Sequence, residues 1–212
     1  MQPFHHAYVT YGNPARAKEL AAVLAKRVGL EVAHNPDLHI RVFESLGVDE
    51  ARNISHLASL SSAGGKKLFI IATHAITREA QNALLKTLEE PASGTYFGLL
   101  VPRGALITTV LSRLTELSLP EKKEDRELAE NFLAASPVSR SKLIAKVVED
   151  KEKNAARELI DGLEALLRKD MKKPPIRIAL DELSTTRTYL MGPSPSVKML
   201  LEHLALVLPV VK

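Results

Sequence analysis

Asn82-Ala83-Leu84-Leu85-Lys86-Thr87-Leu88-Glu89-Glu90-Pro91 is the stretch on which the fold turns. Ala80, Ala83, Leu84, Thr87 and Leu88 recur at helical spacing. Glu90-Pro91 ends the helix, because a proline pushes the residue before it out of the helical region. Short apolar runs at residues 68–72 and 96–101 flank this helix, and Gly64-Gly65 and Ser93-Gly94 mark loops ahead of them. Apolar strand, helix, apolar strand is the pattern of a parallel sheet covered on both faces.

The same alternation extends outward. Residues 7–11, 38–43 and 114–119 read as further strands, and residues 14–28 and 49–61 as helices. After Pro120 the strand pattern stops at the charged junction Glu121-Lys122-Lys123-Glu124-Asp125-Arg126. Helices are expected at residues 125–135, 139–149, 151–169, 175–190 and 195–208. Ala156, Leu159, Ile160, Leu163, Leu166 and Leu167 give the third of these an apolar face. Ser194-Pro195 reads as an N-cap with proline at the first helical position. The expected class is therefore α/β over residues 1–120, followed by an all-α helical domain over residues 121–212.

The 212 residues are 45% hydrophobic and 25% charged, which excludes a disordered tail. With 4% aromatics and no Trp, the core must rest on Leu, Ile, Val and Ala. The net charge of +4 is mild, and Lys66-Lys67, Lys122-Lys123 and Lys172-Lys173 are scattered without interleaved aromatics. That argues against a stacking platform for single-stranded nucleic acid. Absence of cysteine excludes disulfides, thiolate-bound zinc and thiol catalysis, and fits a reducing cytoplasm. Met1-Gln2-Pro3-Phe4-His5-His6 lacks the pattern of a secretory signal, and no apolar run suggests a membrane partner.

Gly12-Asn13-Pro14-Ala15-Arg16-Ala17-Lys18-Glu19 stands between a strand and a helix, the context of a phosphate-binding loop. Such a loop needs Gly before its Lys, so that backbone N–H groups can wrap phosphates, and a hydroxyl after it for magnesium. Here Ala17 and Glu19 occupy those places on either side of Lys18, and a carboxylate there repels phosphate. Asn13-Pro14 reads instead as the cap and first residue of a helix that starts early. The strand Leu68-Phe69-Ile70-Ile71-Ala72 ends in Thr73-His74-Ala75, with no acidic residue to hold a metal. No polar residue occurs between Phe97 and Val101. His5, His6, His34, His39, His56, His74 and His203 form no metal-ligand spacing. No Ser stands in a nucleophile context, and Glu89-Glu90 reads as a helix-terminal pair rather than an acid/base couple. Neither a cofactor nor a metal is expected.

Residues 82–91, together with Thr109-Val110-Leu111-Ser112-Arg113, resemble the signature of the AAA+ clamp-loader family of bacterial DNA polymerase III. His6-Ala7-Tyr8, His34-Asn35-Pro36-Asp37-Leu38 and Gly47-Val48-Asp49-Glu50-Ala51-Arg52 add to the likeness. The resemblance implies a RecA-like sheet, with Ile71 at the family's metal-binding Asp and Ala72 at its catalytic Glu. Loss of the ATP loop with Ser-Arg retained is the pattern of the delta-prime branch. Leu114 replaces the Cys that usually follows.

What the family implies is a subunit that does not itself hydrolyse ATP. It would complete the loader ring and present Arg113, positioned by Ser112, to the ATP site of a neighbouring motor subunit. Its implied partners are gamma/tau-like motor subunits, a delta-like subunit, the sliding clamp and, through the complex, primer-template DNA. Val28-Gly29-Leu30-Glu31-Val32-Ala33-His34 runs where relatives insert a four-cysteine zinc module, so no zinc is expected. The usual lid domain is also expected to be missing, with the last helices forming a collar-like oligomerisation domain. The alternatives are a nucleic-acid-binding adaptor outside any ring and a weakly active AAA+ ATPase.

Overall fold

The computed structural model describes residues 5–120, 123–149, 153–190, 192 and 194–211. The chain divides into two units, Met1–Leu119 and Pro120–Lys212. In the first unit, β1 (Ala7–Tyr11), β2 (Leu38–Leu46), β3 (Lys67–Ile76), β4 (Thr95–Val101) and β5 (Thr115–Glu116) form one sheet. Its order is β2-β3-β4-β1-β5 and every pairing is parallel. Around it lie α1 (Ala17–Val28), α2 (Val48–Ser59), α3 (Arg78–Glu89) and the short α4 (Thr108–Leu111).

The alternation of side chains along β3 explains why its sequence is apolar throughout. Leu68, Ile70 and Ala72 pack with Leu20, Ala21, Leu24 and Ala25 of α1 on one face. Phe69 and Ile71 pack with residues of α2, α3 and α4 on the other. Gly98 lets α1 close on β4: a Cβ there would lie 2.4 Å from the Leu24 Cδ1. Lys67 is buried, and its ammonium donates to Leu57 O (2.9 Å) and Leu60 O (2.8 Å) at the end of α2.

The second unit consists, among the described residues, of α5 (Lys123–Ala134), α6 (Pro137–Glu149), α7 (Lys153–Leu167), α8 (Pro174–Leu190) and α9 (Val197–Val207). Ala156, Leu159, Ile160, Leu163 and Leu167 of α7 are buried in one cluster with Phe132, Ile144, Leu183, Leu201 and Leu204. Within that cluster Arg140 is wholly buried. Its Nε donates to Phe132 O (2.7 Å), Nη1 to Ala205 O (3.1 Å) and Leu208 O (2.7 Å), and Nη2 to Leu133 O (3.1 Å) and Pro209 O (2.8 Å). Carbonyls at a helix C-terminus lack intrahelical partners, so one guanidinium closes the ends of α5 and α9 together.

The α/β class with a following helical region is as expected. The details differ where local sequence is weak. The strand expected at residues 114–119 shrinks to Thr115–Glu116, because it has one neighbour only; Leu117 still donates to Val9 O at 2.8 Å. Strands β2 and β3 run on to Leu46 and Ile76 despite their polar residues. The helix α9 starts at Val197 with Ser196 as N-cap, rather than at Pro195 after Ser194. Helix α6 begins at Pro137, two residues early. Glu121-Lys122 of the expected junction lie outside the described residues.

Candidate functional site

Gly12 leaves β1 with φ +148° and donates to Val101 O at 3.2 Å. Three of the N–H groups that would wrap a phosphate are used internally. Ala15 N donates to the Asn13 Oδ1 (3.0 Å), Arg16 N to Asn13 O (3.0 Å) and Ala17 N to Pro14 O. Asn13 caps a 3-10 turn, Pro14–Arg16, that leads directly into α1. Pro14 and Ala17 are buried. Glu19 stands in the first turn of α1, where a negative charge suits the helix dipole, and pairs with Arg16 at 2.8 Å. Lys18 is exposed.

The other positions of that expected site are equally committed. Ile71 and Ala72 lie 1% and 0% exposed in the cores on opposite faces of the sheet, so neither side chain reaches a common cleft. The Thr73 hydroxyl donates to Ala75 O at 2.6 Å. Arg103, just past β4, stacks over Tyr11 at 4.0 Å and pairs with Glu116 at 3.1 Å.

Ser112 and Arg113 follow α4 directly, and α3 ties that segment at both ends. At the start, the buried Gln81 accepts from Ile107 N (2.7 Å) and donates to Ala105 O (3.1 Å). Leu106 and Val110 anchor the same segment in the core. At the finish, Arg113 Nη2 donates to the Glu89 carboxylate at 2.8 Å. Arg113 Nη1 donates to Thr109 O and, at 3.3 Å, to the Ser112 hydroxyl, which itself donates to Thr109 O at 3.0 Å. The Arg113 side chain is 27% exposed, and its Nε is buried without a partner. The geometry therefore offers a cation on a fixed stalk, with the outer edge of its guanidinium held by one exposed carboxylate.

Residues 25–123 match the family described as DNA polymerase III, delta subunit, a span that takes in α3, α4, Ser112 and Arg113 but not Gly12 to Glu19. Over 85 residues the chain is 36% identical to the DNA polymerase III subunit delta' of Haemophilus influenzae. The chain resembles the delta-prime subunit of DNA polymerase III. The aligned stretch is 38% of this chain and 26% of that protein, so it spans about a quarter of the relative's length. Among solved structures, a DNA polymerase III gamma subunit-related protein of Thermotoga maritima is 15% identical, with a TM-score of 0.49, covering 95% of this chain and 93% of that one. The clamp loader delta protein of Bacillus subtilis is 13% identical, with a TM-score of 0.41, covering 95% and 94%.

Ser112 and Arg113 stand out in the sequence of this delta-prime-like chain, whereas Gln81 does not and Glu89 reads there as structural. Both lie inside or beside the signature stretch. Their partners, 26 and 24 residues away, carry no local signal of the pairing. Among the described residues no group of three or more His, Cys, Asp or Glu could hold a metal ion. Two of the histidines find other partners: His6 Nε2 lies 2.7 Å from Leu88 O and His203 Nε2 lies 3.0 Å from Glu182. His39 stacks on Phe69 at 4.5 Å, and burial, then Lys67 and Arg41, hold its pKa below the ordinary value. No helix among the described residues is long and apolar enough to cross a membrane.

Proposed function

We propose that this chain is a non-hydrolysing, delta-prime-like subunit of a DNA polymerase III clamp loader. It lends Arg113 to the ATP site of a motor subunit beside it. A guanidinium against the γ-phosphate stabilises charge that develops as the phosphoryl group departs, and it works best when held in place beforehand. The observation that carries the reading is the contrast within the first unit. The nucleotide loop is filled by Pro14 and Ala17 with three of its N–H groups spent, while Arg113 stands partly exposed on a stalk fixed by Gln81, Leu106 and Val110. Ser112 braces the guanidinium, and the helical second unit is assigned the collar role that joins the chain to gamma/tau-like and delta-like subunits. Contact with clamp and DNA belongs to the assembled ring.

The adaptor reading draws less support, because Lys66 and Lys67 spend their ammonium groups on Val28 O (2.7 Å) and on the end of α2. The test is the clamp- and DNA-stimulated ATPase of the reconstituted loader carrying Arg113→Ala. A loss of about three powers of ten at the neighbouring site is expected. Unchanged turnover in a complex that still assembles would refute the proposal, as would ATP turnover by the purified chain that Lys18→Ala abolishes.

A further inference from the structure

We propose that Glu89 is a latch for Arg113: its carboxylate occupies the guanidinium until a triphosphate displaces it. The inference rests on the trans-acting role given to Arg113 above. Arg113 Nη2 meets Glu89 at 2.8 Å, and Nη1 is turned inward to Thr109 O and Ser112. The edge that must receive a γ-phosphate is thus the edge Glu89 covers. A phosphate cannot share it without bringing two anions together, so the carboxylate and the nucleotide compete.

Backbone movement does not resolve the competition. Gln81 fixes the start of the α4 segment and Val110 buries its middle, so freeing Arg113 means swinging two side chains. Both swings are accessible, since the Glu89 side chain is 54% exposed as the last residue of α3 and the Arg113 side chain 27%. A pair this exposed biases an equilibrium by no more than about fivefold. A triphosphate with magnesium, delivered by a closed ring, overcomes that bias. Accidental approach of free nucleotide in an open ring meets it in full. The latch therefore lowers idle turnover and leaves stimulated turnover nearly untouched.

The experiment uses the whole loader with this chain as wild type, Glu89→Gln, Arg113→Ala and the double variant. ATPase is measured over a range of ATP, with and without clamp and primed DNA. Glu89→Gln keeps the shape and removes the charge of an exposed residue. The expected result is a two- to fivefold rise in turnover at subsaturating ATP without clamp and DNA, through a lower KM, with the saturated stimulated rate within about twofold. In the Arg113→Ala background the substitution should do nothing, because the latch has nothing left to hold. A fall in turnover, no change, or an effect that survives Arg113→Ala overturns the latch while the finger stands. Should Arg113→Ala alone leave turnover unchanged, both fall together.

Discussion

Replacing Arg140 by methionine should unravel the second unit from the ends of two helices inward. The side chain makes five hydrogen bonds to carbonyls of Phe132, Leu133, Ala205, Leu208 and Pro209. Bonds to a charged donor contribute about 1.5–3 kcal/mol each, so their sum is about 8–15 kcal/mol. Against this stands the desolvation of a buried cation, several kcal/mol, softened here by the negative ends of α5 and α9. The guanidinium also lies 5.2 Å from the Phe132 ring. A net loss of about 4 kcal/mol follows, out of about 5–14 kcal/mol for a unit of this size. Arg140→Lys should lose about 2 kcal/mol, since an ammonium has three donors and no planar fork. Peptide-resolved hydrogen exchange reads the outcome directly. Amides of α5 and α9 should lose about a thousandfold in protection in the methionine variant, while those of β3 and α1 keep theirs. Protection within tenfold of wild type would mean that the bonds and the desolvation cost cancel, and the reasoning would be wrong.

Gln81→Leu should destabilise the first unit by about 2–3 kcal/mol, by leaving Ile107 N and Ala105 O without partners, and should lower loader turnover about tenfold through kcat; urea midpoints and steady-state kinetics check the two parts. Gly94→Ala places a Cβ 2.2 Å from Gly65 O at φ +75°, where backbone cannot yield cheaply, so a loss of about 2–4 kcal/mol is expected in urea unfolding. The Asp161 pKa is raised to about 6 by burial, against the pull of Arg187, while the Glu164 pKa is lowered, against its own burial, by Arg187 and Arg168. A raised carboxyl makes the folded state keep its proton longer, so the Asp161 contribution to stability falls between about pH 4 and 6. Glu164 works the other way, its contribution being lost as pH drops below its ordinary 4.5. Asp161→Asn should flatten the decline between pH 4 and 6 in a urea-midpoint series, and a slope unchanged from wild type would count against this assignment.

The sheet was legible because strands covered on both faces must be apolar at every position, as 68–72 and 97–101 are. β2 is an edge strand, and Glu44 and Ser45 hide its last residues, although Ser45 and Leu46 still pair with β3. Helix α4 was invisible because Thr108–Leu111 is about one turn, too short to display a period. The early helical start at Pro14 was readable from Asn13-Pro14, since a cap followed by proline is a local signal. Arg140 was not. It looks like any surface arginine in the first turn of a helix, and the carbonyls it joins at Ala205, Leu208 and Pro209 lie 65 to 69 residues away. The Glu89–Arg113 pair had the same difficulty, two recognisable residues whose meeting depends on how α3 and α4 pack.

Pockets that fill and empty give a protein two resting shapes and a reason to alternate between them. With Pro14 and Ala17 packed into the core where a nucleotide would sit, the first unit has one. Nothing in its own structure marks time. On the role proposed for Arg113, a neighbour hydrolysing ATP against it would meet an unchanged backbone on which only the Glu89 and Arg113 side chains swing, so the large part of the stroke at that boundary would come from the neighbour.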